Sequence, residues 1–153
     1  MIKVAINGLG RIGRATVRLL RDIEGLELVA INDLAPTQTL AYLLRYDSVW
    51  GRFPGEVSAD GGDTLHIDGR QVTCLQQRDP TQLPWQRLGV DVVFECTGVF
   101  TRAEQLQGHI SAGARHVMLS APAKGDGVVT CLPGVAPAPA EAPVLACTAS
   151  CTT

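Results

Sequence analysis

The 153-residue sequence has no apolar run longer than a β-strand, so no bilayer-spanning helix is expected. It has no basic-then-apolar leader ahead of its first strand, and the expectation is a cytoplasmic chain. Its five cysteines (Cys74, Cys96, Cys131, Cys147 and Cys151) include no CxxC pair and no zinc-like spacing. An odd count without a secretion signal points to reduced thiols, and no metal is expected. No basic cluster stands out: 13 Lys and Arg oppose 15 Asp and Glu, and the basic residues are dispersed. No nucleic-acid or membrane partner is therefore expected. Histidine is scarce too. None of His66, His109 and His116 follows a core strand at its carboxyl end, so each reads as a surface or hydrogen-bond-satisfied side chain. An imidazole base is missing from these residues.

What is present describes one globular α/β domain: 46% hydrophobic and 18% charged residues over a length that can bury its own core. The chain is organised by its beginning. Val4 to Ile6 form an apolar strand, followed at once by Gly8-x-Gly10-x-x-Gly13 and then an amphipathic run through Ile12, Ala15, Thr16, Leu19 and Leu20. Strand, glycine turn and helix are the context in which this pattern signifies dinucleotide binding. The first glycine permits the tight turn, the second a close approach of a pyrophosphate, the third close packing of helix on strand. The helix start offers N–H groups and its dipole to the phosphates. A second strand, Leu26 to Asn32, ends in Asp33, where an acid that binds an adenosine ribose belongs. The alternative is an ordinary doubly wound turn with Asp33 capping the next segment. An acid at this place repels a 2′-phosphate, and no Lys or Arg follows until Arg45, so NAD is expected in preference to NADP.

Further along, a helix is expected over 37–45 and a loop rich in turn residues from Tyr46 to Gly55. An antiparallel meander (56–58, 64–67 and 71–75) follows, turned at Asp60-Gly61-Gly62-Asp63 and Asp68-Gly69. A helix start is read near Trp85. The sheet resumes with strands at 90–94 and 116–119 around a helix from Thr101 to Ala112. A strand at 128–132, a stiff proline-rich connection over 133–143 and a last strand at 144–147 complete the chain. The expected fold is a doubly wound, mostly parallel sheet with an antiparallel meander inserted. Ligands lie beyond the carboxyl ends of such strands, so the segments 7–13, 32–33, 95–98, 120–122 and 148–153 should surround one crevice.

Cys151 follows the last strand among Ser150, Thr152 and Thr153, residue types that start helices. A thiol in a first helical turn has its pKa lowered by the dipole and by N–H groups, and such a thiolate beside a nicotinamide suits aldehyde oxidation through a thioester. Spacing alone favours the other reading, a small buried cysteine. Cys147, on the strand, reads as core, and Cys74, Cys96 and Cys131 as structural.

The segments Ala5–Arg14, Ile31–Leu34, Leu43–Val49 with Gly51-Arg52-Phe53, Arg78-Asp79-Pro80, Leu88–Asp91, Thr97–Thr101, Ser120–Lys124 and Ala149–Thr153 together resemble the N-terminal NAD-binding half of phosphorylating glyceraldehyde-3-phosphate dehydrogenases. The resemblance implies a Rossmann-type domain over residues 1–153 that ends at the nucleophile's helix start, with a catalytic domain to follow. It implies a cofactor site of Asn7, Gly8, Gly10, Arg11, Ile12, Gly13, Asp33, Arg78, Thr97, Gly98 and Ser120. Cys151 takes the nucleophile's position, with Ser150 and Thr152 beside the substrate. The implied partners are an aldehyde phosphate, inorganic phosphate and further copies of a full-length chain in a tetramer. The sister activity on erythrose 4-phosphate and a standalone NAD-binding module are the alternative readings. The sequence departs from the family at Cys147-Thr148, where Ser-Asn is usual, and at Ala136, where Asn is usual.

Overall fold

Alternation along the first strand sets the two-sided architecture. In β1 (Ile2–Asn7), Val4 and Ile6 face one core, while Ala5 faces another across the sheet. A computed structural model describes residues 1–135, 139, 141, 142 and 144–150. The first core receives α1 (Arg11–Leu20) through Val17 and Leu20 and, beyond β2 (Leu26–Asn32), α2 (Thr37–Arg45) through Leu40, Ala41 and Leu44. A two-residue hairpin of β3 (Tyr46–Asp47) and β4 (Gly51–Arg52) then carries Phe53 into the same core. Sequence reading takes this stretch only as a loop. Asp47 makes the hairpin, since its Oδ1 accepts the Val49 and Trp50 N–H groups at 2.8 and 3.0 Å.

The meander follows as β5 (Val57–Ala59), β6 (Thr64–Ile67) and β7 (Arg70–Leu75). Its last strand serves two partners. β7 runs antiparallel to β6 and parallel to β2, so the meander extends the main sheet without interrupting it. A 3-10 turn (Pro80–Gln82) and α3 (Trp85–Leu88) lead to β8 (Val92–Glu95), and α4 (Ala103–Ser111) leads to β9 (His116–Leu119). The short β10 (Val129–Thr130) and β11 (Leu145–Cys147) finish the described sheet. The second core gathers Trp85, Val93, Leu106 and Leu119 beneath α3 and α4. Each such fully buried side chain contributes about 1.5–3 kcal/mol. The proline-rich connection expected over 133–143 lies partly outside the described residues.

Among the described residues the strand order is β10-β11-β9-β8-β1-β2-β7-β6-β5, with the seven strands from β10 to β7 parallel. The chain travels from β1 outward through β2 and β7, then returns to β8 on the other side of β1. The order therefore reverses between β1 and β8, and the carboxyl ends of these two strands diverge into a crevice. This is the mostly parallel, doubly wound sheet that the sequence pattern predicts. No described helix is long and apolar enough to cross a membrane.

Candidate cofactor crevice

The glycines after β1 meet three different constraints. Gly8 has φ +91°, and a Cβ there would lie 2.9 Å from Thr97 atoms, so conformation and space both demand glycine. A Cβ on Gly13 would lie 2.1 Å from the Gly8 carbonyl oxygen, because α1 packs directly on the turn. Gly10 differs. A Cβ there would meet nothing within 4 Å and would project into open space at the helix start. No side chain caps α1 and no acid stands in its first turn. Its opening N–H groups thus keep their partial positive charge toward that space. The bare helix start, with room where a side chain would fill it, is a cradle that fits a pyrophosphate.

Around this cradle is a cleft of about 400 Å³. It takes Asn7, Gly8 and Gly10 from the first turn, Asn32 and Asp33 from the end of β2, Arg78 from beyond β7, and Thr97 from beyond β8. Asp33 is tied down within it. Its Oδ2 accepts the Leu9 N–H at 2.7 Å and its Oδ1 the Ala35 N–H at 3.0 Å. The carboxylate therefore braces the glycine turn and retains lone pairs for ribose hydroxyls. Leu34, Gln77, Cys96, Val99 and Phe100 also line the cleft. Cys96 falls in the strand-end segment 95–98 expected at the crevice; sequence reasoning missed the other four as cleft residues. The only available signal was their adjacency to Asp33, Arg78 and Thr97, and the strand-end rule does not say which neighbours turn inward. Cys96 is no reactive thiol, since burial pushes it up to about 11.

The other sequence-derived positions are spread along the same sheet edge. Arg11 and Ile12 open α1 and are exposed, while Gly98 (φ +72°) shapes the turn between Thr97 and Val99. Ser120 follows β9, donates its backbone N–H to the Glu95 carbonyl at 3.0 Å, and shares a side-chain hydrogen bond with Cys96. Ser150 follows β11, two strands from β1's neighbour β8, and its N–H donates to the Thr148 carbonyl at 2.8 Å. The described cleft does not include it. Cys151, Thr152 and Ala136 lie outside the described residues. Cys147 is core, 1% exposed. Burial raises its thiol pKa, but hydrogen bonds from Thr130 and from the Ala149 and Ala123 backbone outweigh this and leave it lowered. No group of three or more metal-ligating side chains occurs among the described residues.

The side chains beneath the crevice form a connected polar layer. Asn7 and Asn32 are 2% and 4% exposed, and Glu95 is fully buried. Asn32 Nδ2 donates to Asn7 Oδ1 at 2.6 Å, and Asn7 Nδ2 donates to Glu95 Oε2 at 2.6 Å. Asn32 also pairs with both backbone groups of Gln77, donating to the carbonyl and accepting the N–H at 2.8 Å each. The strand ends that frame the cleft are thus crosslinked from below. Both polar ends of Asn7 are engaged within the protein.

Comparison with known proteins places this geometry in a family. The family described as glyceraldehyde 3-phosphate dehydrogenase, NAD binding domain, matches residues 2–103. The chain is 50% identical over 126 residues to a glyceraldehyde-3-phosphate dehydrogenase of Clostridium pasteurianum, 82% of this chain and 37% of that protein. The enzyme of the same name from Zymomonas mobilis is 51% identical over 127 residues, again 82% and 37%. A plasmid-borne one from Cupriavidus necator is 52% identical over 139 residues, 88% of this chain and 40% of that protein. The chain thus spans about two fifths of the length of these relatives.

Proposed function

Since the chain belongs to the glyceraldehyde 3-phosphate dehydrogenase NAD-binding-domain family, we propose that it holds NAD in the crevice between β1 and β8, as the cofactor half of a phosphorylating aldehyde dehydrogenase. One observation carries this reading: an uncapped helix start with open space at Gly10, facing a cleft that Asp33 borders. The N–H groups around Arg11 and Ile12 take the pyrophosphate, and the lone pairs of Asp33 take the adenosine ribose hydroxyls. A carboxylate at that place opposes a 2′-phosphate, which selects NAD over NADP. Arg78, Thr97, Gly98 and Ser120 supply the remaining walls. When bound, NAD supplies a hydride acceptor.

In the complete protein the proposed reaction is oxidation and phosphorylation of glyceraldehyde 3-phosphate. Cys151 is the nucleophile, and Ser150 and Thr152 flank the aldehyde. This part rests on the segment Ala149–Thr153 and on the relatives' names. Erythrose 4-phosphate is the competing substrate within the same chemistry. For the 153 residues alone we favour cofactor binding without turnover. None of the three histidines follows a core strand at its carboxyl end: His109 is wholly buried on α4, His66 lies on the meander and His116 opens β9. General acid–base assistance typically supplies about 10²–10⁴-fold.

The test is calorimetric titration of the chain with NAD⁺ and with NADP⁺. NAD⁺ is expected to bind, NADP⁺ to bind much more weakly, and Asp33→Ala to narrow the gap. Equal affinities in the unmodified chain would contradict the role given to Asp33.

A further inference from the structure

Glu95 is 0% exposed, at the end of β8, with no cationic side chain among its hydrogen-bond partners in the described structure. Burying a carboxylate is tolerable only where donors replace its water. Four donors converge on it. Oε2 accepts from Asn7 Nδ2 at 2.6 Å and from His109 Nε2 at 3.0 Å. Oε1 accepts the Thr97 N–H at 2.9 Å and the Thr97 hydroxyl.

The identity of the His109 donor is fixed from behind. Trp85 Nε1 lies 3.0 Å from His109 Nδ1. An indole N–H can only donate, so Nδ1 must present a lone pair and the ring proton must sit on Nε2, aimed at Glu95. A protonated imidazolium would place two N–H groups head to head. The ring is therefore neutral, and Trp85 sets its tautomer. Asn7 is likewise fixed in orientation, because reversing its amide would set Oδ1 against the carboxylate. The result is a chain of hydrogen bonds with one direction, from the indole through His109 into Glu95, met from the other side by Asn32 and Asn7.

This arrangement acts on the crevice through Thr97. Thr97 gives both its N–H and its O–H proton to Glu95 and accepts the Val99 N–H on Oγ1 at 3.1 Å. Its shape is thereby set, and with it the wall that includes Cys96, Val99 and Phe100. Thr97 also lies where a Cβ on Gly8 would fall, so a shift of Thr97 is felt by the glycine turn.

We propose that Glu95 is a positioning residue for the dinucleotide: held by the His109 tautomer that Trp85 imposes, it fixes Thr97 and Asn7, and through them the wall and floor of the crevice. This rests on the reading of the crevice as an NAD site.

Three arms test it on the 153-residue chain. In ¹⁵N-resolved imidazole NMR of the folded chain near pH 7, His109 should carry its proton on Nε2 alone. An imidazolium or an Nδ1–H tautomer would overturn the proposal without any variant. In NAD⁺ calorimetry, Trp85→Phe keeps an aromatic ring but removes the donor, and Thr97→Val removes the hydroxyl. Each is expected to weaken NAD⁺ by roughly tenfold, about 1.4 kcal/mol. Losses in the double variant should fall well short of the product of the two. Unchanged affinity in folded Thr97→Val, or fully multiplicative losses, would overturn the proposal. Should Trp85→Phe not fold, the Thr97 variant and the NMR arm still decide. No NAD⁺ binding by the unmodified chain would instead refute the cofactor reading, leaving the tautomer to be judged by NMR.

Discussion

Two buried carboxylates, Asp47 and Glu95, hold the surroundings of the glycine turn, and they do so by different chemistry. Asp47, on the hairpin beyond α2, meets the Arg14 guanidinium at 2.9 Å, and Arg14 also donates to the Leu9 carbonyl at 3.3 Å. Glu95, at the end of β8, relies on amide, hydroxyl, backbone and imidazole donors. The first brace is an ion pair at the rim of the fold, one step from solvent. The second is a network of oriented dipoles under the crevice, with His109 and Glu95 both wholly buried. An ionic brace titrates with pH and tolerates small movements. A dipolar brace demands that every donor stay in place, because one lost partner strands several others.

Breaking what both braces hold should cost most. Gly13→Ala places a Cβ 2.1 Å from the Gly8 carbonyl oxygen. Denaturant melts should show a loss of about 3 kcal/mol or more, since backbone must move, and NAD⁺ binding should disappear. Next comes Glu95→Ala, which leaves the Asn7, His109 and Thr97 donors without an acceptor. About 3 kcal/mol is expected by the same melts. Asp47→Asn should cost less, about 1–2 kcal/mol, because an amide oxygen still accepts the Val49 and Trp50 N–H groups. A larger loss from Asp47→Asn than from Glu95→Ala would reverse the ranking of the two braces.

The ionic brace also carries a pH signature. The Trp50 and Val49 N–H groups and then Arg14 lower the Asp47 carboxyl from 3.8 to about 2. A depressed carboxyl gives stability that is fully present above its unfolded value and is lost as pH falls through the folded one. Its contribution should therefore hold above about pH 4 and fade between about 4 and 2. In acid melts, Asp47→Asn should flatten that part of the stability profile. An identical profile would show that the pair does not contribute. The smallest effect on stability is expected at Gly10. Gly10→Ala meets nothing within 4 Å, so the melt should move by less than about 0.5 kcal/mol. NAD⁺ affinity should nevertheless drop, since the methyl group enters the cradle.

Neither brace is fully legible in the sequence; the glycine turn that both hold is. Gly8, Gly10, Gly13 and Asp33 announce themselves because one local motif and one strand length place them. The parallel sheet follows from the same alternation of strands and helices. Asp47 was visible only as part of a loop, since its two-residue hairpin is made by side-chain acceptance of N–H groups and not by strand-forming residues. Trp85, Glu95 and His109 lie 10 to 24 positions apart in sequence, and nothing local links them. Packing α3 and α4 onto the sheet brings them together. His109 reads as a satisfied histidine from its helical position, and it is one. That its satisfaction runs to the carboxylate under the crevice is a tertiary fact. Gln77 is similar: its backbone pairs with Asn32 across 45 positions, which no periodicity encodes.

The most direct test of the account is to map NAD⁺ onto the chain by ¹H–¹⁵N NMR. The central claim is that these residues alone assemble a crevice whose floor is the glycine turn and whose wall Glu95 holds in place. Saturable shifts should centre on Gly8 to Gly13, Asp33 and Thr97, and extend to the Trp85 indole and the His109 ring through the network. Shifts confined to the outer meander, or shifts at the glycine turn that leave Thr97, His109 and Trp85 untouched, would contradict it.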